Sequence, residues 1–454
     1  MVRSSLNPSR ALPVPPVAVT PEAAFLQWIQ QLFSSLPVSF AIRFWDGATV
    51  RVGRDSPAGE LPFTLVLRRP AVLSELLLGR DALRLAQGYF HGDIDIEGDL
   101  FAALALRDHL EALNLPLKKR LRAAGRLLRL GLRREGFSGG LTAAPQHSRW
   151  NSRADNRKAI EFHYDVSNDF YALWLDRSMV YSCAYFEEND ADLDRAQWAK
   201  LDHICRKLLL QPGESFLDIG CGWGALLLHA ARHYGVRAHG ITLSSRQFAL
   251  AQERIADAGL ADRVTVALCD YRDLPDVPYD KVASVGMFEH VGLKNLPVYF
   301  ATAHRVLKPG GLFLNHGITH DREGWERNVF TEFINRYVFP DAELDTVSNV
   351  QRAMESGRFE ILDVEALRPH YALTLRHWVE RLERHHSQAL RYVTEATYRV
   401  WRLYMAACAL EFESGGIGVY QILASRRTRG AVALPRTRRH LYAPRSLEPS
   451  RAGR

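Results

Sequence analysis

One short run carries the strongest chemical signal: Leu217-Asp218-Ile219-Gly220-Cys221-Gly222-Trp223-Gly224, an apolar stretch that ends in a glycine-rich turn. Glycines suit such a turn because the chain bends sharply and a ligand must approach the backbone with no Cβ in the way. Asp218 adds hydrogen-bond acceptors and negative charge, the complement of a sulfonium and an amino group. A nicotinamide dinucleotide would ask for G-x-G-x-x-G and an acid at the end of the second strand to hold the ribose. Here the spacing is G-x-G-x-G, and the second strand ends in Ile241-Thr242-Leu243-Ser244 with no acid. S-Adenosylmethionine is therefore the expected cofactor. Gln247, one turn further on, can hold the ribose or adenine in place of the missing acid. Asp270 and Tyr271, after the third strand, can bracket the adenine by hydrogen bond and stacking.

Such a turn needs a strand before it and a helix after it. Ser215–Ile219 reads as the buried strand, with a helix following through Ala230. Further strands are expected at Arg237–Thr242, Val264–Cys269, Lys281–Gly286 and Gly311–His316, and Phe359–Glu365 and Gly418–Ala424 would close the sheet. Strand-then-helix alternation of this kind predicts a doubly wound α/β domain over residues 158–427. Residues 21–137 read as a smaller α+β domain, with a strand at Phe63–Leu67, that ends in a basic amphipathic helix. A polar linker (138–157) separates the two, and residues 1–20 and 428–454 read as disordered tails.

The basic helix is the clearest charge feature. Between Glu111 and Glu135 no acid intervenes, while Lys118, Lys119, Arg120, Arg122, Arg126, Arg129, Arg133 and Arg134 supply eight cations. Leu117, Leu121, Ala124, Leu128 and Leu132 form an apolar stripe. It can lie in an anionic membrane surface, each cation contributing about 1 kcal/mol, or pack its leucines on the protein's own core; amphipathicity alone does not separate the two. The segment from Arg426 onward adds nine arginines against one glutamate, within a net charge of +7. No run of about 18 uncharged apolar residues predicts a membrane-spanning helix. The five cysteines are odd in number, widely spread and form no CxxC pair, so neither a disulfide framework nor a zinc site is expected, which fits a cytoplasmic compartment. No metal site is expected.

The most distinctive segments lie around these elements. His163-Tyr164-Asp165-Val166-Ser167-Asn168-Asp169-Phe170-Tyr171, Tyr181-Ser182-Cys183-Ala184-Tyr185-Phe186, Gly240-Ile241-Thr242-Leu243-Ser244, Asp270-Tyr271-Arg272-Asp273 and Ser284-Val285-Gly286-Met287-Phe288-Glu289-His290-Val291-Gly292 occur in that order. With the glycine-rich turn, this series resembles the cyclopropane-fatty-acyl-phospholipid synthases and mycolic acid cyclopropane synthases. The smaller N-terminal region resembles the domain that accompanies the bacterial phospholipid enzymes.

The resemblance implies a Rossmann-like class I S-adenosylmethionine-dependent methyltransferase domain. It implies transfer of a one-carbon unit to the cis double bond of an unsaturated phospholipid acyl chain at the membrane surface. The enzyme would be cytoplasmic and peripheral to the inner membrane surface, would act on no nucleic acid, and a homodimer is left open. The positive charge formed on the acyl chain calls for a site that excludes water, offers aromatic faces and holds a base near the new methyl. In the family that base is a bound bicarbonate, and the carried-over site is Cys183, Glu289, His316, Ile318 through its backbone, and Tyr371. Glu289 would orient the anion while His316 and Tyr371 donate to it. Cofactor contacts carried over are Tyr181, Ser182, Gly220, Gly222, Thr242, Leu243 and Gln247. The aromatic-rich segment Trp325–Pro340 either covers the acyl tunnel or packs as a helix on the sheet.

One departure bears on the product. Leu314-Asn315-His316-Gly317-Ile318 has a polar residue before the histidine and a glycine after it, where well-known phospholipid synthases carry a more apolar residue and a threonine. With Asn315 and Gly317 expected beside the anion, a methyl-branched or otherwise modified chain stands as the alternative to a ring.

Overall fold

The computed structural model describes residues 21–54, 61–78, 82–106, 125, 166–188, 192–323, 328–339, 343–429 and 434–443. Apart from Gly125, the basic segment 117–134 lies outside them, as do the linker 138–157, the residues 163–165 and the first twenty residues. The chain forms two compact units, one of Met1–Leu78 with Asp93–Glu135 and one of Gly79–Gly92 with Gly136–Arg454.

In the first unit, α1 (Pro21–Phe33) precedes β1 (Phe40–Arg43), β2 (Thr49–Val52) and β3 (Phe63–Leu67); α2 (Pro70–Leu78) follows. With β4 (Ile94–Gly98) these strands make a sheet of order β2-β1-β3-β4, in which only β1 and β3 run parallel. Phe40 and Phe63 stack across that parallel pair at 4.8 Å between ring centroids.

The second unit contains α3 (Ala82–Phe90) and a seven-stranded sheet. Its strands are β5 (Ser215–Ile219), β6 (Arg237–Thr242), β7 (Val264–Leu268), β8 (Tyr279–Val285), β9 (Leu307–His320), β10 (Phe359–Ala366) and β11 (Ile417–Arg426). Their order is β10-β11-β9-β8-β5-β6-β7, with β11 antiparallel to both its neighbours and every other pairing parallel. This is the doubly wound, Rossmann-like architecture expected from the strand-helix alternation. All seven predicted strands are present, and β9 runs longer at both ends than its sequence pattern indicates.

Both faces of this sheet are covered, so its central strands carry apolar residues toward both sides. On β5, Phe216 belongs to the core on one face and Leu217 and Ile219 to the core on the other. The helices that matter for the site are α4 (Asn168–Ala172), α5 (Leu193–Lys207), α6 (Ala225–Tyr234), α7 (Ser245–Asp257), α8 (Leu296–Arg305), α9 (Val329–Tyr337), α10 (Arg368–Arg384) and α11 (Glu395–Ser414). The polarity of a doubly wound sheet brings the loops after β5, β6 and β8 to one edge, where ligands bind.

Candidate active site

The turn after β5 is built on left-handed backbone. Gly220, Gly222 and Gly224 have φ of 83°, 54° and 82°, values that cost little only for glycine. At Gly220 a Cβ would also stand 3.0 Å from the Met287 side chain. The turn borders a cavity of about 120 Å³ whose wall includes Tyr181, Ser182, Asp218, Gly220, Gly222 and Gln247.

Most polar groups of that wall are tied down. Lys200, fully buried on α5, donates to Ser182 Oγ at 2.8 Å, and Gln197, one turn earlier, donates to the Ser182 carbonyl at 2.8 Å. Thr242 Oγ1 donates to Gln247 Oε1 at 2.8 Å, and Ser244 caps α7 by accepting from the Gln247 N–H. Asp218 Oδ1 is the exception, being buried without a hydrogen-bond partner among the described residues. Burial pushes its carboxyl up to about 7 against the opposing pull of Lys200, while burial takes Lys200 down to about 8. A cationic, hydrogen-bond-donating ligand end would satisfy Asp218, so the wall fits S-adenosylmethionine.

Thr242, Leu243, Asp270 and Tyr271 do not line this cavity. Asp270 accepts from the Arg272 backbone and guanidinium, at 2.9, 2.8 and 2.6 Å. Tyr271 is buried in the core with its ring 5.5 Å from that of Tyr299.

A second cavity, of about 160 Å³, shares Tyr181, Ser182, Gly286 and His290 with the first. Its wall is mostly apolar and aromatic. α9 contributes Phe330 and Ile334, α11 contributes Tyr404, Cys408 and Phe412, and Phe339 and Leu375 complete it. Of the aromatic-rich segment 325–340, the described residues 328–339 thus do reach the cavity; 325–327 and 340 lie outside the described residues.

Glu289, His316, Ile318 and Tyr371 also meet on this wall. Glu289 stands on a short helical turn after β8, and its Oε1 accepts from the Ile318 N–H at 2.7 Å. Its Oε2 has no partner among the described residues, and neither ring nitrogen of His316 has one. Burial lifts the Glu289 carboxyl to about 7, partly offset by the Ile318 N–H. Burial, together with the charges of Lys200 and Lys207, takes His316 down to about 3, so its imidazole is neutral. Tyr371, on α10, is raised by burial and stays a phenol. Unsatisfied acceptor and imidazole atoms on a mostly apolar wall fit a small oxyanion that carries its own O–H.

Cys183 is close in sequence to Tyr181 and Ser182 but is fully buried, with its thiol directed at the carbonyls of Ala184 (3.2 Å) and Leu367 (3.7 Å). Burial raises its pKa well above the ordinary thiol value, so it is no nucleophile. Asn315 does not sit beside the anion wall as expected. Successive strand residues face opposite sides of a sheet, and Asn315 accepts from Tyr299 Oη of α8 at 3.1 Å. Gly317 is different, because a Cβ there would enter the Phe288 ring and lie 3.0 Å from Glu289 Oε1.

Three contributors escaped the sequence reading: Lys200, His290 at the junction of the cavities, and the α11 stripe. Tyr404, Cys408, Glu411 and Phe412 recur at helical spacing along the cavity wall and were legible only as an ordinary buried helix face.

Comparison with known proteins agrees with this geometry. A family model described as mycolic acid cyclopropane synthetase matches residues 151–422. The chain is 41% identical over 413 residues to a probable fatty acid methyltransferase of Pseudomonas putida, covering 90% of this chain and 97% of that one. It is 36% identical over 382 residues to the cyclopropane-fatty-acyl-phospholipid synthase of Escherichia coli K12, covering 83% and 92%. Among solved structures, the mycolic acid cyclopropane synthase CmaA1 complexed with SAH and CTAB aligns with TM-score 0.56 and 36% identity, over 59% of this chain and 98% of that one.

Proposed function

Since the chain belongs to the mycolic acid cyclopropane synthetase family and is an S-adenosylmethionine-dependent methyltransferase, we propose that it forms cyclopropane rings on unsaturated phospholipid acyl chains. The observation that carries this reading is the meeting of two unlike cavities. One has the glycine cradle and the buried Asp218; the other is apolar and aromatic; Tyr181, Ser182, Gly286 and His290 belong to both. A cofactor's methyl group and an alkene can meet only at such a junction.

When bound, S-adenosylmethionine supplies the methyl electrophile and bicarbonate the proton acceptor. The protein's own residues do the rest. Gly220 and Gly222 let the cofactor approach the backbone, while Ser182, held by Lys200, and Gln247, held by Thr242, orient it. The rings of Tyr181, Tyr404 and Phe412 face the positive charge that develops on the acyl chain. The apolar wall from α9 and α11 keeps out water that would trap that charge. Glu289 Oε2 accepts the O–H of the anion, and Ile318 fixes the carboxylate through Oε1. Cys183 lines neither cavity and contributes no chemistry through its thiol.

A second reading keeps the cofactor and changes the product to a methyl-branched chain. It is supported by the name of the Pseudomonas relative, a probable fatty acid methyltransferase, and by Gly317. The net charge of +7 supports a peripheral position on the anionic inner membrane surface, and domain limits of 21–137 and 158–427, with residues 79–92 grouped with the larger unit, remain part of this proposal.

Lipids from a host expressing the chain test both readings. Mass spectrometry is expected to show a gain of one methylene that resists hydrogenation of alkenes, and NMR of the purified lipid separates ring from branch. Unchanged lipids, from a protein that binds S-adenosylmethionine, would overturn the acyl-chain reading.

A further inference from the structure

His316 faces the apolar cavity, and the residue directly behind it has no assigned role. In the antiparallel pairing of β9 and β11, His316 stands opposite Gln421, and across β11 and β10 Gln421 stands opposite Glu365. Opposed residues share a face of the sheet with Cβ atoms about 4.5–5.5 Å apart. Glu365, Gln421 and His316 therefore form a polar row across three strands. On the same face, the next row towards the substrate is Val419 and Ile318, both on the cavity wall, and the next row away is Leu423 and Leu314, both in the core.

Gln421 is completely buried, and neither its amide oxygen nor its amide nitrogen has a hydrogen-bond partner among the described residues. The same holds for both ring nitrogens of His316. Two adjacent polar groups with four unmet atoms are rare in a packed interior. Gln421 is not among the residues that line the cavity, so a substrate does not satisfy it.

Glu365 decides which way the amide turns. Its Oε2 takes both His203 Nε2 at 2.8 Å and Lys207 Nζ at 2.5 Å. Although burial opposes ionisation, these partners hold its carboxyl at about 2. An ionised carboxylate only accepts, so it faces the donor end of the amide.

We propose that Gln421 is a positioning residue for His316: by turning within this row, its amide comes to donate Nε2–H to Glu365 Oε1 and to accept the inner ring N–H of His316 at Oε1, and the outer ring nitrogen turns its lone pair to the cavity. The amide passes the carboxylate's orientation to the imidazole across one strand. In this arrangement His316 presents the bound anion's one O–H with a second acceptor beside Glu289 Oε2, the reverse of the donor role that the family resemblance implies. The last step rests on the bicarbonate reading above; the tautomer itself does not.

The test uses the full-length protein labelled with 15N-histidine, free of substrate and of bicarbonate. The His316 ring resonances are identified by their loss in His316→Gln. The wild type is expected to show a single neutral tautomer of His316 between pH 6 and 8, and Gln421→Met a mixture of both. Turnover in Gln421→Met is expected to fall about 10-fold with S-adenosylmethionine affinity unchanged. Equal tautomers in the wild type, or one unchanged tautomer in a folded Gln421→Met protein, would overturn the proposal. Should Gln421→Met fail to fold, the wild-type spectrum still decides. Bicarbonate-stripped wild-type enzyme, assayed with and without added bicarbonate, separately tests the reading on which the anion's role rests. Indifference to bicarbonate there would sink that reading and leave the tautomer result standing.

Discussion

The two cavities of the larger unit are built in opposite ways. Around the glycine turn, polar side chains other than Asp218 are paired before any ligand arrives: Ser182 with Lys200, Thr242 with Gln247, Ser244 with the start of α7. Around the apolar cavity the decisive atoms are left open, with Glu289 Oε2 and both nitrogens of His316 buried and unpartnered among the described residues. The first wall is largely preformed, with Asp218 left for a ligand that recurs at each turnover. The second stores unsatisfied polarity that an anion must complete. Removing a group from the second wall should therefore damage chemistry and relieve the free protein, whereas damage to the first should show in cofactor affinity.

Glu289→Gln makes the largest break. Glutamine keeps an oxygen for the Ile318 N–H but loses the charge at Oε2. Turnover is expected to fall by about 10³-fold, the middle of the range for loss of a proton-handling group. S-Adenosylmethionine affinity, measured by calorimetry, should stay within about threefold, or some 0.7 kcal/mol. Loss of both would show Glu289 to be a fold residue and erase the contrast.

The pH dependence of stability comes next. The Glu289 carboxyl is raised in the folded state from 4.5 to about 7, so the folded protein holds a proton that the unfolded chain gives up. Stability is then fully present below pH about 4.5 and is lost as pH rises through about 7, by about 3 kcal/mol for a shift of this size. Asp218, raised from 3.8 to about 7, acts in the same direction. Urea unfolding of the ligand-free protein at pH 5 and pH 8 should show this loss, and Glu289→Gln should show less of it. An identical slope in both proteins would mean that the carboxylate is already satisfied.

Gly317→Thr probes the close approach at the second wall. The new side chain would meet the Phe288 ring and crowd Glu289, and overpacking of this kind costs about 1–3 kcal/mol. Thermal unfolding should register that cost. Should the threonine be accommodated without loss, the open acceptor at Glu289 is not held by packing, and the glycine says nothing about ring closure. On the first wall, Lys200→Met removes the donor to Ser182. A rise of about 10-fold in the dissociation constant for S-adenosylmethionine is expected, the worth of one charged hydrogen bond, with turnover at saturating cofactor changed less.

The same contrast explains what could be read from the sequence. The cofactor wall comes from runs of consecutive residues, and β5 and β6 end where their apolar patterns end, at Ile219 and Thr242. The turn glycines were legible because their backbone angles admit little else. The apolar wall is assembled from the turn after β8 and from β9, β11, α9, α10 and α11, whose residues carry no local mark beyond amphipathicity. Glu289 and His316 could be named there only through the family resemblance. α3 belongs with the larger unit, where Arg399 donates to the Tyr89 carbonyl at 3.1 Å and Arg402 to the Tyr89 hydroxyl at 2.8 Å. No spacing in the chain announces a partnership across three hundred residues. Asp270 and Tyr271 followed a sound chemical argument for adenine, but Arg272 stands two positions after Asp270 and takes up its carboxylate.

Asn315 gives the smallest effect and the sharpest control. Strand alternation alone, applied to His316, would have sent its neighbour to the other face of β9, where Tyr299 donates to Asn315 Oδ1. Asn315→Ala removes that acceptor and leaves the anion wall untouched. A loss of about 1 kcal/mol in stability is expected from the broken hydrogen bond, with turnover and product unchanged. A shift from ring to branch in this variant would mean that the two faces of β9 are coupled through the strand. The product would then be set by the sheet as well as by the cavity, and the open wall would no longer be separable from the core behind it.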